Sequence, residues 1–357
     1  MKFLITGVSG FVGEEIALFL KNKIDFKLLG IDKIEDVISK SINFEKCDLF
    51  HEKAKLEKIF NNFNPDVVIH MAAQSLVRKS YEFPVETFNT NVIGTANLLD
   101  CLRSQQNEKP VVIVVVTSDK CYQNNDLGLA FCEADVLGGR DPYSSSKACA
   151  ELVVQSFRDS FFSDKEHRLR VATGRAGNVI GGGDGSRDRL IPDAMRAFAR
   201  GQAVNLRNPN SIRPWQHVLD PIVGYLTLCE QLYLQGDRCV GGWNFGPNDN
   251  DVMTVEWIIK KMYFIHFYDQ KLRTHMIAMD TDTVISVRDG DSGVTKINRN
   301  EMTRSMASIK AQEYNELQIL VGSYKMTKAT PIQVAGDDTQ SYSYDSTKRN
   351  SRNDKFL

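Results

Sequence analysis

Tyr143 and Lys147 stand four residues apart in Asp-Pro-Tyr-Ser-Ser-Ser-Lys, residues 141–147. On a helix, residues i and i+4 share a face, so the lysine ammonium would lie beside the phenol and favour its ionised form, making Tyr143 a base near neutral pH. Two other stretches could serve the same chemistry: the glycine-rich Thr-Gly-Val-Ser-Gly-Phe-Val-Gly at 6–13 and Thr-Ser-Asp-Lys at 117–120. Together they describe redox chemistry on a bound nucleotide.

Gly7, Gly10 and Gly13 fall between an apolar strand at 2–6 and a helix from Phe11 to Leu20. In that context glycines permit a tight turn and close approach of a pyrophosphate, whose charge is favoured by the free N–H groups at the helix start. Asp32 ends a second strand 19 residues after Gly13. A carboxylate there accepts hydrogen bonds from a ribose diol and repels a 2'-phosphate, which favours NAD over NADP. Asp48 is placed either to meet the adenine amino group or to cap the next helix. Ala72, Ala73 and Gln74 follow a strand at 66–70 and leave room for the cofactor backbone. Phe11, Val12 and Leu49 complete the expected cofactor contacts.

The elements that must hold these residues alternate along the chain. Strands at 26–31, 66–70, 111–116 and 170–174 alternate with helices at 53–63, 85–104 and Pro142 to about Phe162. The run Val111–Val116 is apolar throughout, as in a parallel strand covered on both faces. The first part therefore reads as an α/β, doubly wound parallel sheet, with a dinucleotide-binding and catalytic region at 1–175. A smaller mixed substrate-covering lobe is expected over 176–336, some of whose segments return to the main domain. Its helices are expected at Leu190–Gly201 and within Trp215–Gln235. Beyond Pro247 the pattern weakens. Residues 258–268 fit helix or strand, 276–287 look strand-like, and 337–357, rich in Ser, Asp and Asn, reads as a disordered tail.

Composition narrows the partners. The 357 residues are 42% hydrophobic, enough for a substantial core, and 44 basic against 45 acidic residues leave a formal charge of -1. No basic block suggests a nucleic-acid partner. Neither an apolar leader nor a membrane-length segment is present, so the chain reads as soluble and cytoplasmic, with no membrane partner. Seven cysteines without paired metal-ligand spacing read as reduced thiols, with no metal site.

An ordered set of motifs carries a family resemblance over about residues 1–255. It comprises Val116-Thr-Ser-Asp-Lys-Cys-Tyr122, Leu137-Gly-Gly-Arg-Asp-Pro-Tyr-Ser-Ser-Ser-Lys-Ala148, Ala176-Gly-Asn-Val-Ile-Gly-Gly-Gly-Asp184, Asp188-Arg-Leu-Ile-Pro192, Ile212-Arg-Pro-Trp-Gln-His-Val218 and Trp243-Asn-Phe-Gly-Pro247. The chain resembles the extended short-chain dehydrogenases/reductases, a Rossmann-type family, and within them the CDP-glucose 4,6-dehydratase branch. That resemblance implies net dehydration of CDP-D-glucose to CDP-4-dehydro-6-deoxy-D-glucose, with NAD reduced and reoxidised in each turnover. It implies that Tyr143 takes the C4 hydroxyl proton, Lys147 lowers the tyrosine pKa and binds the nicotinamide ribose, and Ser118 holds the C4 oxygen. Asp119 would protonate the departing C6 hydroxyl, with its pKa raised by the pocket. Lys120 would be the C5 base, which requires its pKa to be lowered. Asn91 would order the backbone around the cofactor, and a homodimer would form through a helix pair.

For the substrate diphosphate, Arg189, Arg207 and Arg213 are candidate clamps, since guanidinium can donate two parallel hydrogen bonds to phosphate oxygens. His217 and Asn178 join them, while Glu133 and Asp135 are candidates for sugar hydroxyls and Trp215 for either pyrimidine stacking or the core. The resemblance fades after Val252-Met-Thr-Val, where the chain runs instead into Lys260-Lys-Met-Tyr-Phe-Ile-His-Phe-Tyr. A nucleotide-sugar 4-epimerase or dehydrogenase could use the same Tyr143 and Lys147, and a noncatalytic NAD-binding protein could keep the fold. Neither of the first two needs an acid and base dedicated to C5 and C6, so Asp119-Lys120 favours dehydration.

Overall fold

The computed structural model describes residues 1–21, 26–35, 40–105, 109–124, 130–163, 168–247, 252–280 and 299–321. The glycine-rich stretch joins β1 (Lys2–Thr6) to α1 (Phe11–Lys21); β2 (Lys27–Asp32), β3 (Asn43–Lys46), α2 (Lys53–Phe63) and β4 (Val67–His70) follow. Next come α3 (Val77–Glu82), α4 (Pro84–Phe88), a π-helical turn (Asn89–Ile93), α5 (Gly94–Arg103), β5 (Val111–Val116), α6 (Pro142–Phe161) and β6 (Leu169–Ala176). After β6 the chain forms β7 (Val179–Ile180), α7 (Leu190–Ala199), β8 (Ile212–Arg213), β9 (Gln216–His217), α8 (Leu219–Gln235), β10 (Gly241–Phe245) and β11 (Met253–Thr254). The helices α9 (Val255–Asp280) and α10 (Arg299–Val321) close the described part.

Among the described residues, seven strands form one sheet in the order β10-β6-β5-β4-β1-β2-β3, and every pairing within it is parallel. The sheet is apolar on both faces because each strand sends alternate side chains to two cores. Phe3, Ile5, Val67, Ile69, Val112 and Val114 meet Ile16, Leu20, Ile222, Tyr225 and Leu228 of α1 and α8. Leu4, Val68, Ile113 and Val115 meet Leu56, Phe60, Leu98, Leu102 and Val154 of α2, α5 and α6 on the other side. The direction of chain progression reverses between β1 and β4. A crevice opens there at the carboxyl ends of the strands, the place where such sheets hold ligands.

Several expectations change on folding. The helix expected over 85–104 forms as one uninterrupted helical run from Pro84 to Arg103, with a π turn inserted between α4 and α5. The extra residue of that turn lets Asn91 reach back to Gln74, as inserted turns often do beside functional sites. The helix expected within 215–235 starts at Leu219, because Arg213 and Gln216 are taken into two-stranded pairings with Met253 and Val179. Residues 258–268 are helical, and so is Met276–Asp280 where a strand was expected. There α9 lies along α10 through a Lys261–Glu313 ion pair of 2.8 Å. The expected tail and the remainder of 276–287 lie outside the described residues.

A smaller core brings Phe198, Trp215, Val255, Ile258 and Ile259 together beneath α7 and α9. Trp215 is 2% exposed there and donates Nε1–H to the Met253 carbonyl at 3.0 Å, so it is a core residue and does not stack on a ligand. All seven cysteines are free. Among the described residues no helix is long and apolar enough to cross a membrane, and no cluster of potential ligands could hold a metal.

At the joint between β6 and α8, a Cβ added to Gly174 would sit 2.6 Å from Tyr225 Cε1. Gly174→Ala is expected to destabilise the protein by about 1–3 kcal/mol through overpacking. A thermal or denaturant melt would read this as a lower midpoint, and an unchanged midpoint would show that α8 can shift without penalty.

Candidate active site

The local sequence aims the candidate catalytic side chains. Pro142 occupies the first turn of α6, and Asp141 caps it. Asp141 Oδ1 accepts the Ser144 N–H at 3.0 Å, while the Ser144 hydroxyl accepts the Asp141 N–H at 3.2 Å. This reciprocal cap fixes the helix start and puts Tyr143, Lys147, Glu151 and Val154 on its buried face. At the end of β5, Ser118 caps a short 3-10 turn by accepting the Lys120 N–H at 3.2 Å, presenting Asp119 and Lys120 beyond the strand.

Two cavities meet at these residues. The first, of about 360 Å³, is lined by Gly7, Gly10, Phe11, Val12, Gly13, Asp32, Asp48, Leu49, Ala72, Ala73, Gln74, Tyr143, Lys147 and Arg189. The second, of about 750 Å³, is lined by Asp119, Lys120, Tyr122, Ser144, Arg175, Gly177, Arg213, Pro214 and Asn244. Ser118 links them, bonding Tyr143 through its hydroxyl and donating to Asp119 Oδ1 at 3.0 Å.

The first cavity has the glycine floor that its sequence requires. Gly7 has φ +73 and donates its N–H to the Ile31 carbonyl at 2.8 Å. A Cβ there would lie 2.5 Å from the Ala72 nitrogen, so only glycine lets β1 and β4 turn out this closely. Asp32 accepts the Ser9 and Lys33 N–H groups at 3.1 and 2.7 Å. Burial nevertheless leaves its carboxyl above the usual range, against the lowering effect of the Ser9, Lys33 and Ile34 N–H bonds. Asp48 lines the cavity, and its Oδ1 accepts the Phe50 and His51 N–H groups at 2.9 and 3.1 Å, closing the turn before α2 and leaving the helix cap position to Glu52. Burial raises the Asp48 carboxyl, but bonds from His51 and Phe50 outweigh it and hold the group below the ordinary range.

Asn91 stands behind the cavity wall and is absent from its lining. Its Oδ1 accepts the Gln74 N–H at 2.7 Å and its Nδ2 donates to the Gln74 carbonyl at 3.0 Å and to Ser146 Oγ at 2.8 Å. A buried chain continues from the Asn91 carbonyl through Thr95 to His70 and Thr6. Burial pushes the His70 ring down to about 3, so this chain is neutral.

The electrostatics correct three expectations. Burial drives the Tyr143 phenol above its ordinary value, and Lys120, Ser118 and Arg189 pull it back only in part. The ammonium that acts on it most is that of Lys120. Lys147 donates to the Val116 carbonyl at 3.2 Å, and burial lowers its ammonium to about 8 against the pull of Glu151 and Cys121. Lys120 is shifted upward, above all by the Asp119 carboxylate 3.3 Å away, which outweighs desolvation and the repulsion of Arg213. The requirement that Lys120 begin as a free amine is not met; it rests as an ammonium paired with Asp119.

The expected substrate residues separate. Arg213 lines the larger cavity beside Lys120. Arg189 instead borders the first cavity and straps across its mouth, donating to Asp184 at 3.1 Å and to Ser75 at 3.0 Å. Neither Asn178, Arg207 nor His217 lines either cavity. Asn178 accepts the Gln216 N–H through its carbonyl, and its own Oδ1 is buried without a partner. Arg207 is exposed. His217 Nδ1 accepts the Leu219 N–H at 3.2 Å, and burial lowers the ring against a weaker opposing pull from Glu15. Glu133 and Asp135 each hold a backbone group. The first accepts the Asn244 N–H at 2.9 Å, and the second accepts the Cys132 N–H at 2.7 Å.

Sequence reasoning missed a buried ionic cluster beneath Ser118 and Lys147. Arg175 donates to Glu151 at 2.7 Å and to the Tyr122 hydroxyl at 2.8 Å, and Thr117 and Thr173 both donate to Glu151. The position of Glu151, four residues after Lys147, was a readable signal; Arg175 within a mostly buried strand was the other.

Comparison with known proteins agrees with this layout. A family model described as GDP-mannose 4,6 dehydratase matches residues 4–238. The CDP-glucose 4,6-dehydratase of Salmonella typhimurium is 45% identical over 276 residues, covering 73% of this chain and 75% of that protein. The dTDP-D-glucose 4,6-dehydratase of Dictyostelium discoideum is 31% identical over 201 residues, covering 50% of this chain and 44% of that one. Among solved structures, MoeE5 in complex with UDP-glucose and NAD shares the fold with a TM-score of 0.62 at 24% identity, covering 73% of this chain and 80% of that one. Matching over more than half its length, with the candidate catalytic groups at the carboxyl edge of the expected sheet, the chain belongs to the GDP-mannose 4,6 dehydratase family.

Proposed function

We propose that this protein is an NAD-dependent lyase that converts CDP-D-glucose to CDP-4-dehydro-6-deoxy-D-glucose and water. The observation that carries this reading is the Asp119–Lys120 pair, 3.3 Å apart and one residue beyond the Ser118 that bonds Tyr143. A dinucleotide fits the smaller cavity on two observations: glycines at 7, 10 and 13 where side chains would meet backbone, and the Asp32 carboxylate facing the same space. When bound, NAD would supply the hydride acceptor for C4 and the hydride donor for C6.

The chain's own groups supply the proton transfers. As the phenolate, the form that Lys120 and Ser118 favour against burial, Tyr143 takes the C4 hydroxyl proton while C4 is oxidised, and Ser118 holds that oxygen. The new carbonyl acidifies C5–H. Asp119 and Lys120 together carry one proton between carboxylate and amine. Water exclusion as the hexose fills the larger cavity disfavours separated charges. Shifting the proton along the Nζ–Oδ1 contact leaves Lys120 able to take the C5 proton and Asp119 able to protonate the departing C6 hydroxyl. Arg213, beside Lys120, is the diphosphate ligand that the cavity supports best. The same reading divides the chain near residue 175 into a cofactor-holding part and a substrate-covering part. It makes the protein cytoplasmic and homodimeric, with exposed Val85, Leu152 and Phe161 covered by a second copy.

Incubation with CDP-glucose in deuterated water tests the reading. The expected product is lighter than substrate by one water and deuterated at C5, with slower turnover of dTDP-, UDP- and GDP-glucose. Recovery of CDP-galactose, or net accumulation of reduced cofactor in proportion to product, would assign an epimerase or a dehydrogenase.

Two variants divide the labour. Tyr143→Phe should slow C4 oxidation by about 10²–10⁴-fold, the usual contribution of a positioned acid or base. Lys120→Met should slow C5 exchange by a similar factor while retaining partial C4 oxidation, measured in a single turnover. Equal loss of both steps in Lys120→Met would contradict the assigned roles.

A further inference from the structure

We propose that Glu151, clamped by Arg175, Thr117 and Thr173, is a positioning residue that keeps the Lys147 side chain an ammonium at the edge of the catalytic cleft. The inference rests on the reading above for its consequence in turnover. Its physical basis is independent of which nucleotide sugar is used.

The geometry makes Glu151 an unusual presence. It is 4% exposed, one helical turn beyond Lys147 on the buried face of α6. Each carboxylate oxygen is assigned: Oε1 accepts the Thr117 hydroxyl, and Oε2 accepts Thr173 Oγ1 and an Arg175 guanidinium N–H, both at 2.7 Å. These donors come from β5 and β6, so the carboxylate is held from the sheet side and cannot swing towards solvent. Thr117 precedes Ser118, which places both catalytic segments on one anchor. Arg175 is fixed in turn by the Tyr122 hydroxyl at 2.8 Å and the Glu133 carbonyl at 3.1 Å.

A buried ion pair is weak evidence for stability, since apolar replacement is often as stable. Its placement here has a different use. Among the described residues, the ionisable groups that act on Lys147 are His70 on β4, Cys121 on the 3-10 turn and Glu151 on its own helix; Arg175 of β6 is paired with Glu151, and Tyr143 lies one turn back on the same face of α6. His70 is held neutral by burial at about 3, burial pushes the Cys121 thiol up to about 12, and the Tyr143 phenol is also raised. Glu151 is therefore the one anion of that set. It opposes the desolvation that brings Lys147 down to about 8. The ammonium is present below that value and lost as pH rises through it, so removing the Glu151 charge should move the loss to lower pH.

The test is the pH dependence of Lys147 acetylation in the cofactor-free protein, read by mass spectrometry, alongside the alkaline limb of turnover. Glu151→Gln keeps the shape and removes the charge; its midpoint should fall by about one unit, the size of shift produced by one nearby opposite charge. Glu151→Asp keeps the charge and loses a methylene; its midpoint should stay near wild type whatever its stability. A purely structural residue predicts the reverse order, and that result, or no shift in either variant, would overturn the proposal. Should Glu151→Gln fail to fold, Thr173→Val carries the test. With one donor fewer the carboxylate acts more strongly on Lys147 and the midpoint should rise; an unchanged or lower midpoint would overturn the proposal. Acetylation needs no substrate, so its failure is distinguishable from failure of the dehydratase reading.

Discussion

A phenol and an amine are withdrawn from water at the carboxyl edge of a parallel sheet beside a second, half-buried amine, Lys120, and each depends on specific neighbours for its charge. Tyr143 and Lys147 are 8% and 6% exposed. Desolvation alone would leave the phenol protonated and Lys147 neutral at moderate pH, which is the wrong pairing for oxidation of an alcohol. Placed charges oppose both effects in part. Lys120 and Ser118 act on Tyr143, Glu151 acts on Lys147, and Asp119 holds Lys120. Redox chemistry and elimination therefore share one electrostatic network.

The fold supplies that network by joining elements distant in sequence. The Asp141–Ser144 cap sets where α6 begins, and hence which face carries Tyr143, Lys147 and Glu151. β5 brings Thr117 and Ser118 to that face, and β6 brings Thr173 and Arg175. On the other flank, the π turn lets Asn91 hold Gln74 at the cofactor wall and Ser146 beneath Tyr143. The result is a catalytic surface braced from both sides, with two cavities meeting over it.

Much of this was legible from residues 1–176. The glycine spacing, the uninterrupted Val111–Val116 run and the Pro142 start each have a local physical cause, and the sheet follows from them. The charges were not legible in the same way. Lys147 was expected to act on Tyr143 because four-residue spacing implies proximity, but burial and the position of Lys120 are tertiary facts. Arg189 reads as a phosphate clamp from its type alone, whereas a loop crossing places it against Ser75 and Asp184. Glu133 was a candidate for sugar hydroxyls because it precedes Tyr143, and one of its oxygens is used by the Asn244 backbone. The helix α9 was ambiguous because its apolar residues are spread around it, and its partner α10 lies far along the chain.

The account stands or falls on oxidation and reduction occurring at two carbons of one sugar without leaving the site. CDP-glucose carrying deuterium at C4, mixed with an equal amount of unlabelled CDP-glucose bearing a different isotopic tag, measures this directly. The account predicts deuterium at C6 of the same product molecules that began with it, with no crossover to the tagged population. Deuterium lost to solvent, exchanged between molecules or retained at C4 would contradict it.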